Sequence, residues 1–392
     1  MGWVVMMIVA AAAAADYGVW RRYVGPHVAR RRASLCLLGA AWMLDALPLL
    51  MKVAGLAARD NTQTLCDAER WLMLVFFLLV VPKTILFVSL LAGRSRTLRA
   101  AGCVAAAAAV VTVVYGVTYG RTRLVVNRVE VVSQRLPESF DGFRIALFSD
   151  LHIGSMTDAV AETARVVDTL NSLRADMVVF GGDLVNIRHT ELDPQLMEIL
   201  SRIRSVHGTY CVTGNHDTGL YVKDTLTLPP AESSRLLLDK ERRMGWQPLD
   251  GRSIHISRGG DSIAVTGIAF DGALHEIQHS RNIPQLDIAA SYEGVDPCTY
   301  NITLAHIPQM WTQVRALGRG DLTLSGHVHA TQMKLRIFGL SLSPARIQYR
   351  RWSGLYGDDE GGYLYINDGI GTVGIPARIG AWPEITLITL RR

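Results

Sequence analysis

The chain has no cysteine framework. Its five cysteines (Cys36, Cys66, Cys103, Cys211, Cys298) show no paired spacing, so neither disulfides nor a thiolate metal site is indicated. They leave the redox compartment unread. A strong charge of either sign is also missing: the net charge is +5, much of the basic excess lies in loops of the apolar front, and no RNA or DNA module is present. Nucleic acid is therefore not an expected partner. The first apolar run has no basic segment before it, which argues against a signal peptide. The apolar runs show neither an inverted repeat nor much intramembrane charge, which sets a transporter aside.

What is there begins with hydrophobicity. A mean hydropathy of +0.20 with 49% apolar residues is too high for an ordinary soluble enzyme of 392 residues. The excess lies before about residue 120, which makes that point a membrane boundary. Four runs, about 1–20, 34–58, 71–92 and 101–119, each suit a transmembrane helix of about 20 residues. Arg21, Arg22, Arg30, Arg31 and Arg32 lie in the first loop and Arg94, Arg96 and Arg99 in the third, so those loops are expected in the cytoplasm. The N-terminus and the domain 121–392 then fall on the extracytoplasmic side of a bacterial inner membrane, although Arg121, Arg123 and Arg128 pull the other way. Asp45 and Lys52 share roughly one face of the second run; the expectation is that Lys52 snorkels and Asp45 faces a neighbouring helix.

From Leu124 the period changes to two, with Val125, Val129 and Val131 alternating against Asn127, Arg128 and Glu130. Apolar strands at Phe143–Ser149 and Met177–Phe180 flank a helix from Ala159 to Leu173, and the strand–helix unit recurs to the chain end. Just after these strands fall five polar blocks: Asp150-Leu151-His152, Gly182-Asp183, Gly214-Asn215-His216-Asp217, His306 and Gly326-His327-Val328-His329. Open α/β sheets place their sites at the carboxyl ends of strands.

Imidazole and carboxylate suit borderline divalent metals, and Asp150, His152, Asp183, Asn215, His306, His327 and His329 are too many for one catalytic ion. They suit two, provided one carboxylate bridges. Such a pair lowers the pKa of a shared water and clamps an in-line displacement at phosphorus. Gly182, Gly214 and Gly326 let the chain approach the ions closely.

In the order and spacing of these blocks the chain resembles the calcineurin-like metallophosphoesterase family, over about residues 143–330. Within it, the chain is most similar to the bacterial membrane-associated branch related to YkuE and YaeI. The tail Asn367-Asp368-Gly369-Ile370-Gly371, with Pro376, Arg378, Pro383 and Glu384, extends the likeness to the chain end. The resemblance implies a four-layer αββα sandwich behind the membrane domain of about four helices, and two divalent ions, manganese, zinc or iron. It implies that Asp150, His152 and His329 hold one ion, Asn215, His306 and His327 the other, and that Asp183 bridges. It assigns His216 to the transferring phosphoryl oxygen and the leaving group; Asp217 either orients His216 or caps a turn. One departure is Ala330-Thr331, where relatives usually carry glycines, which bears on the shape of that rim. The basic, aromatic segment Lys334 to Trp352, with Arg336, Arg346, Tyr349, Arg350 and Arg351, either grips a second phosphate, lies on an anionic bilayer, or is a solvated loop.

The expected function is a membrane-anchored phosphohydrolase that cleaves a phosphate ester by metal-activated hydroxide. A lipid-linked substrate is expected, such as a phospholipid or undecaprenyl-type phosphate; a nucleotide-linked acylated sugar would require a cytoplasmic site. The alternative is a catalytically silent membrane scaffold or sensor, from which ligands would be expected to be missing.

Overall fold

A computed structural model describes residues 2–28, 31–57, 61–92, 95–223, 228–281, 283–338 and 340–392. Contacts divide the chain into two compact units, Met1–Tyr119 with Gly374–Ala377, and Gly120–Val373 with Arg378–Arg392.

The first unit holds four helices: α1 (Gly2–Val19), α2 (Arg31–Ala57), α3 (Gln63–Leu91) and α4 (Arg96–Thr118). Among the described residues two candidate spans, Gln63–Leu91 and Arg96–Thr122, are long and apolar enough to cross a membrane. The sequence leads one to expect four. Parts of the first two runs lie outside the described residues, over which the spans are counted. Asp45 meets the neighbouring helix α3, where Lys83 Nζ lies 2.5 Å from Asp45 Oδ2 and 2.6 Å from Asp16 Oδ1 of α1. The side chain of Lys52 lies outside the described residues.

In the second unit the chain runs through β1 (Val125–Val132), β2 (Arg144–Phe148), α5 (Ala159–Ser172), β3 (Met177–Phe180), α6 (Pro194–Leu200), β4 (Thr209–Cys211), α7 (Pro230–Arg243) and β5 (Trp246–Pro248). It continues with β6 (Arg252–Arg258), β7 (Asp261–Gly267), α8 (Gly272–Ile277), β8 (Asn301–Leu304), α9 (Met310–Ala316) and β9 (Leu322–Ser325). A hairpin of β10 (Leu335–Ile337) and β11 (Leu340–Leu342) follows, then α10 (Ala345–Gln348), β12 (Gly354–Gly357), β13 (Tyr363–Ile366) and β14 (Glu384–Arg391).

Two six-stranded sheets result, in the orders β1-β14-β2-β3-β4-β5 and β12-β13-β9-β8-β7-β6. Ile145, Leu147, Met177 and Val179 of the first sheet share one core with Val265, Ile302, Leu304 and Leu324 of the second, so the sheets lie face to face. Burying each such side chain is worth about 1.5–3 kcal/mol. The other face of the first sheet packs on α5, α6 and α7 through Val166, Val167, Leu170, Leu196, Leu200 and Leu237. Asp158 and Asp193 start α5 and α6 by accepting the N–H groups of Ala161 and Leu196, and Pro194 fits the first turn of α6. Helix α9 covers part of the second sheet, with Trp311 clustered with Leu364 and Ile366 of β13, and α8 packs beside it through Leu274, Met310 and Val314. The layers are helix, sheet, sheet, helix.

This layering positions the site. Strands β2, β3 and β4 run parallel in one sheet and β8, β9 and β13 in the other, so their carboxyl ends release six loops. Every block picked from the sequence leaves one of these ends.

Candidate metal centre

The loop after β2 carries Asp150 and His152, that after β3 Asp183, that after β4 Asn215 and His216, and those after β8 and β9 His306, His327 and His329. Asp150, His152, Asp183 and His329 bring their donor atoms within 4.8 Å of one another, and so do Asp183, His306 and His327. Asp183 belongs to both groups. All these side chains are buried.

The backbone bends to achieve this. Asp150, His152, Asp183, His327 and His329 all adopt left-handed φ values between 43° and 71°, a conformation costing roughly 1–2 kcal/mol per non-glycine residue. Glycines supply the remaining room: a Cβ on Gly214 would stand 2.1 Å from Asp183 Oδ1, and one on Gly326 2.3 Å from Asp150 Oδ2. The left-handed run continues through Ala330, Thr331 and Gln332. The rim where the resemblance led one to expect glycine thus keeps a glycine-like path with Ala330 and Thr331.

Hydrogen bonds fix which atoms face inward. His306 Nδ1 donates to the Gly181 carbonyl at 2.8 Å, which turns Nε2 inward, 3.2 Å from Asp183 Oδ2 and 3.0 Å from Asn215 Oδ1. His327 Nε2 lies 3.2 Å from the Tyr349 hydroxyl, itself 3.0 Å from His279 Nδ1. When Tyr349 donates to His279 it accepts from His327, whose Nδ1 then presents a lone pair 2.9 Å from Asn215 Oδ1. On the other side, His152 Nε2 and His329 Nε2 stand 3.2 Å apart, and His329 Nε2 lies 3.2 Å from Asp150 Oδ1.

Acceptors therefore converge with too few protons to separate them, which is the donor chemistry of a cation site. The residues present fit a divalent metal. Burial opposes charge on His306, but the Asp183 carboxylate, with Asp150 behind it, pushes the imidazole up to about 9, so the carboxylates draw a positive charge to the place a cation would take. Burial, reinforced by His216 and by His306 respectively, holds His152 and His327 well below the usual histidine range, as neutral ligands.

The flanking residues hold the loops. Asp217 accepts the N–H groups of Asp183, Leu184, Val185 and Gly214 at 2.7–3.1 Å, so it ties the β3 and β4 loops together. Its carboxylate takes up the turn-capping role rather than the orientation of His216. Burial and the Asp183 charge push it up to about 7 against those four donors. His216 Nδ1 instead donates to the Asn186 carbonyl at 2.5 Å, and its ring lies 4.4 Å from that of Tyr221 and 4.6 Å from that of His152.

Sequence reasoning missed several of these partners. Tyr221, whose hydroxyl accepts from Asn215 Nδ2 at 3.0 Å, sits in a loop with no pattern, as does His279. Arg378 was visible only as part of the tail; fully buried, it donates to the carbonyls of Gly371, Asp368 and Ala381 and lies 3.2 Å from His329 Nδ1. Of the basic segment, Tyr349 and Trp352 are buried and Lys334 pairs with Asp368 at 2.8 Å. Arg281, Gln309, Tyr349, Arg350 and Arg351 line a cavity of about 200 Å³ next to the centre.

A two-sheet α/β sandwich whose strand ends gather carboxylates, an amide and imidazoles is the architecture of a metallohydrolase domain. Residues 143–331 match the pattern of the calcineurin-like phosphoesterase family, so the chain carries a calcineurin-like phosphoesterase domain. It is 33% identical over 278 residues to a transmembrane protein with metallophosphoesterase domain from Bos taurus, covering 68% of this chain and 57% of that protein. The uncharacterized metallophosphoesterase YkuE of Bacillus subtilis is 28% identical over 270 residues, 67% of this chain and 83% of YkuE. The UDP-2,3-diacylglucosamine pyrophosphatase LpxG of Chlamydia muridarum is 25% identical over 241 residues, 51% and 68% of the two chains. The chain spans 57–61% of the length of the vertebrate relatives it matches.

Proposed function

We propose that the protein is a membrane-anchored, dinuclear metal-dependent phosphohydrolase acting on a phosphate ester carried by a membrane lipid. The observation that carries this reading is the membership of Asp183 in both donor groups, which suits a bridging carboxylate. Asp150, His152 and His329 would hold one ion and Asn215, His306 and His327 the other. When bound, the ions supply Lewis acidity to the phosphoryl oxygen and acidify the attacking water.

The chain's own groups do the rest. His306 and His327 keep their inward lone pairs because Gly181 and Tyr349 engage their outer nitrogens. His216, held by the Asn186 carbonyl through Nδ1, has Nε2 left to hydrogen-bond a phosphoryl oxygen and hand a proton to the leaving oxygen. Arg350 and Arg351, lining the neighbouring cavity, suit a second phosphoryl group. The name of the Chlamydia relative, a pyrophosphatase of an acylated sugar nucleotide, supports a lipid-linked substrate. A silent scaffold is the poorer reading, since every expected donor is present. We further read the first unit as four spans in a bacterial inner membrane, with the phosphoesterase domain on the extracytoplasmic side; a reporter fused after Arg392 tests the side.

The detergent-solubilised full chain should hydrolyse an aryl phosphate ester with Mn²⁺ and lose that turnover when chelated. His216→Ala should lower kcat by about 10²–10⁴-fold with bound metal unchanged. A fully metal-loaded protein inert towards mono- and diesters would overturn the enzyme reading.

A further inference from the structure

Among the described residues the hairpin β10–β11 belongs to neither large sheet, and its two strands pair only with each other. The register sets Leu335 opposite Leu342 and Ile337 opposite Leu340, with Arg336 opposite Ser341. Because side chains alternate along a strand, the four apolar residues share one face and the polar pair the other. That apolar face is uncovered: Leu340 is 68% exposed, and Phe338 at the turn is fully exposed. Ile347 of α10, just beyond, is 80% exposed. A lone two-stranded hairpin is marginal in water, and a contiguous apolar patch of this kind marks a surface that meets something.

The charge around it identifies the partner. Residues 333–352 contain five basic side chains, Lys334, Arg336, Arg346, Arg350 and Arg351, and no acidic one. Arg336, Arg346 and Arg350 are exposed. An apolar tip rimmed by arginines complements a bilayer bearing anionic lipids, with the tip at the acyl boundary and guanidinium groups at the phosphates. A second copy of the chain fits worse, because its matching patch would bring another basic rim against this one. The chain also carries two helices long and apolar enough to cross a membrane, which favours a bilayer as the partner.

The root of the hairpin is tied to the metal centre. Ser343 Oγ donates to the Ala330 carbonyl at 2.7 Å, one residue beyond His329, and Lys334 N–H donates to the Ile379 carbonyl at 2.8 Å. We propose that β10–β11 is a membrane-docking hairpin that enters the headgroup region of an anionic bilayer and thereby holds the phosphoesterase site at the level of lipid phosphates. Its binding part stands alone; its consequence for turnover rests on the proposed phosphohydrolase activity.

The test uses the full chain in vesicles, with Phe338→Cys carrying an environment-sensitive fluorophore and the exposed Cys36, Cys103 and Cys298 replaced by serine. In vesicles containing phosphatidylglycerol the emission should shift to the blue and be quenched by nitroxide-labelled lipids. The shift should weaken in pure phosphatidylcholine and on adding Arg336→Glu with Arg346→Glu. Water-like emission without lipid quenching in anionic vesicles would overturn the proposal. So would a shift that tracks protein density rather than lipid charge, since that outcome means a second copy covers the face. Phe338→Asp should lower kcat/KM for a vesicle-borne phosphate lipid by about tenfold while leaving a soluble aryl phosphate unaffected. An equal loss on both substrates would assign the hairpin to the fold instead. The optical readout needs no turnover, so it stands even if the phosphohydrolase reading fails.

Discussion

Two of the places that bury a pair of carboxylates among the described residues settle the charge in opposite ways. In the helical unit Asp16 and Asp45 both meet the Lys83 ammonium, at 2.6 and 2.5 Å. In the phosphoesterase domain Asp150 and Asp183 face imidazoles, and the buried Arg378 gives its donors to three carbonyls and His329 Nδ1. A chain that brings its own counter-charge builds a structural contact. One that offers acceptors to acceptors builds a receptor for a cation.

Substitution on each side of this contrast should have separable effects. Asp183→Asn is expected to lower bound metal and to reduce turnover on the order of 10³-fold, whereas Asp45→Asn should leave both nearly unchanged. Metal analysis beside aryl phosphate kinetics checks the pair, and equal metal loss would erase the distinction. Next in size, Lys83→Met strands two buried carboxylates and should cost about 3–5 kcal/mol in detergent unfolding, with turnover per folded molecule intact. Adding Asp16→Asn and Asp45→Asn should recover most of that loss; no recovery would mean Lys83 acts through packing.

Another buried acid sharpens the comparison because no cation forms an ion pair with it among the described residues. Glu241 lies 3.5 Å from Cys211 Sγ, and burial, with Asp217 and Asp250 nearby, pushes its carboxyl well above the ordinary value. The folded state therefore keeps a proton that the unfolded chain releases. Its contribution is complete below the unfolded pKa and declines as pH rises through the folded one. Glu241→Gln should thus match the parent in mild acid and melt a few degrees higher near pH 8. A uniform shift at every pH would refute the linkage. Smallest of all, Thr331→Gly relieves a left-handed residue with φ of 49° and should stabilise by about 1 kcal/mol in denaturant titration.

The donor residues were legible because each depends on local sequence: an apolar strand, a glycine that permits a close approach, then a ligand type. Strands such as Met177–Phe180 and Leu322–Ser325 follow the apolar runs to the residue. Long-range partners were not legible. The sequence set Asp45 towards a neighbouring helix, but nothing local pointed to Lys83, 38 positions away, as the group it meets there. Tyr349 reads as part of a basic stretch, and only the fold turns its hydroxyl onto His327. The β10–β11 hairpin escaped as well. Its apolar and basic residues alternate over three positions per strand, too short a span for a period to stand out.

Asp217 has a consequence for how the site fills. By holding amides from two loops with one side chain, it makes Asp183 and Asn215 parts of a single lever. On the proposed two-ion reading, an ion bound against Asp183 would constrain both loops at once and a second would meet a site already assembled. Reciprocity would then make each ion raise the affinity for the other by the same factor, and a sigmoidal rather than hyperbolic titration of the empty protein is the expected outcome.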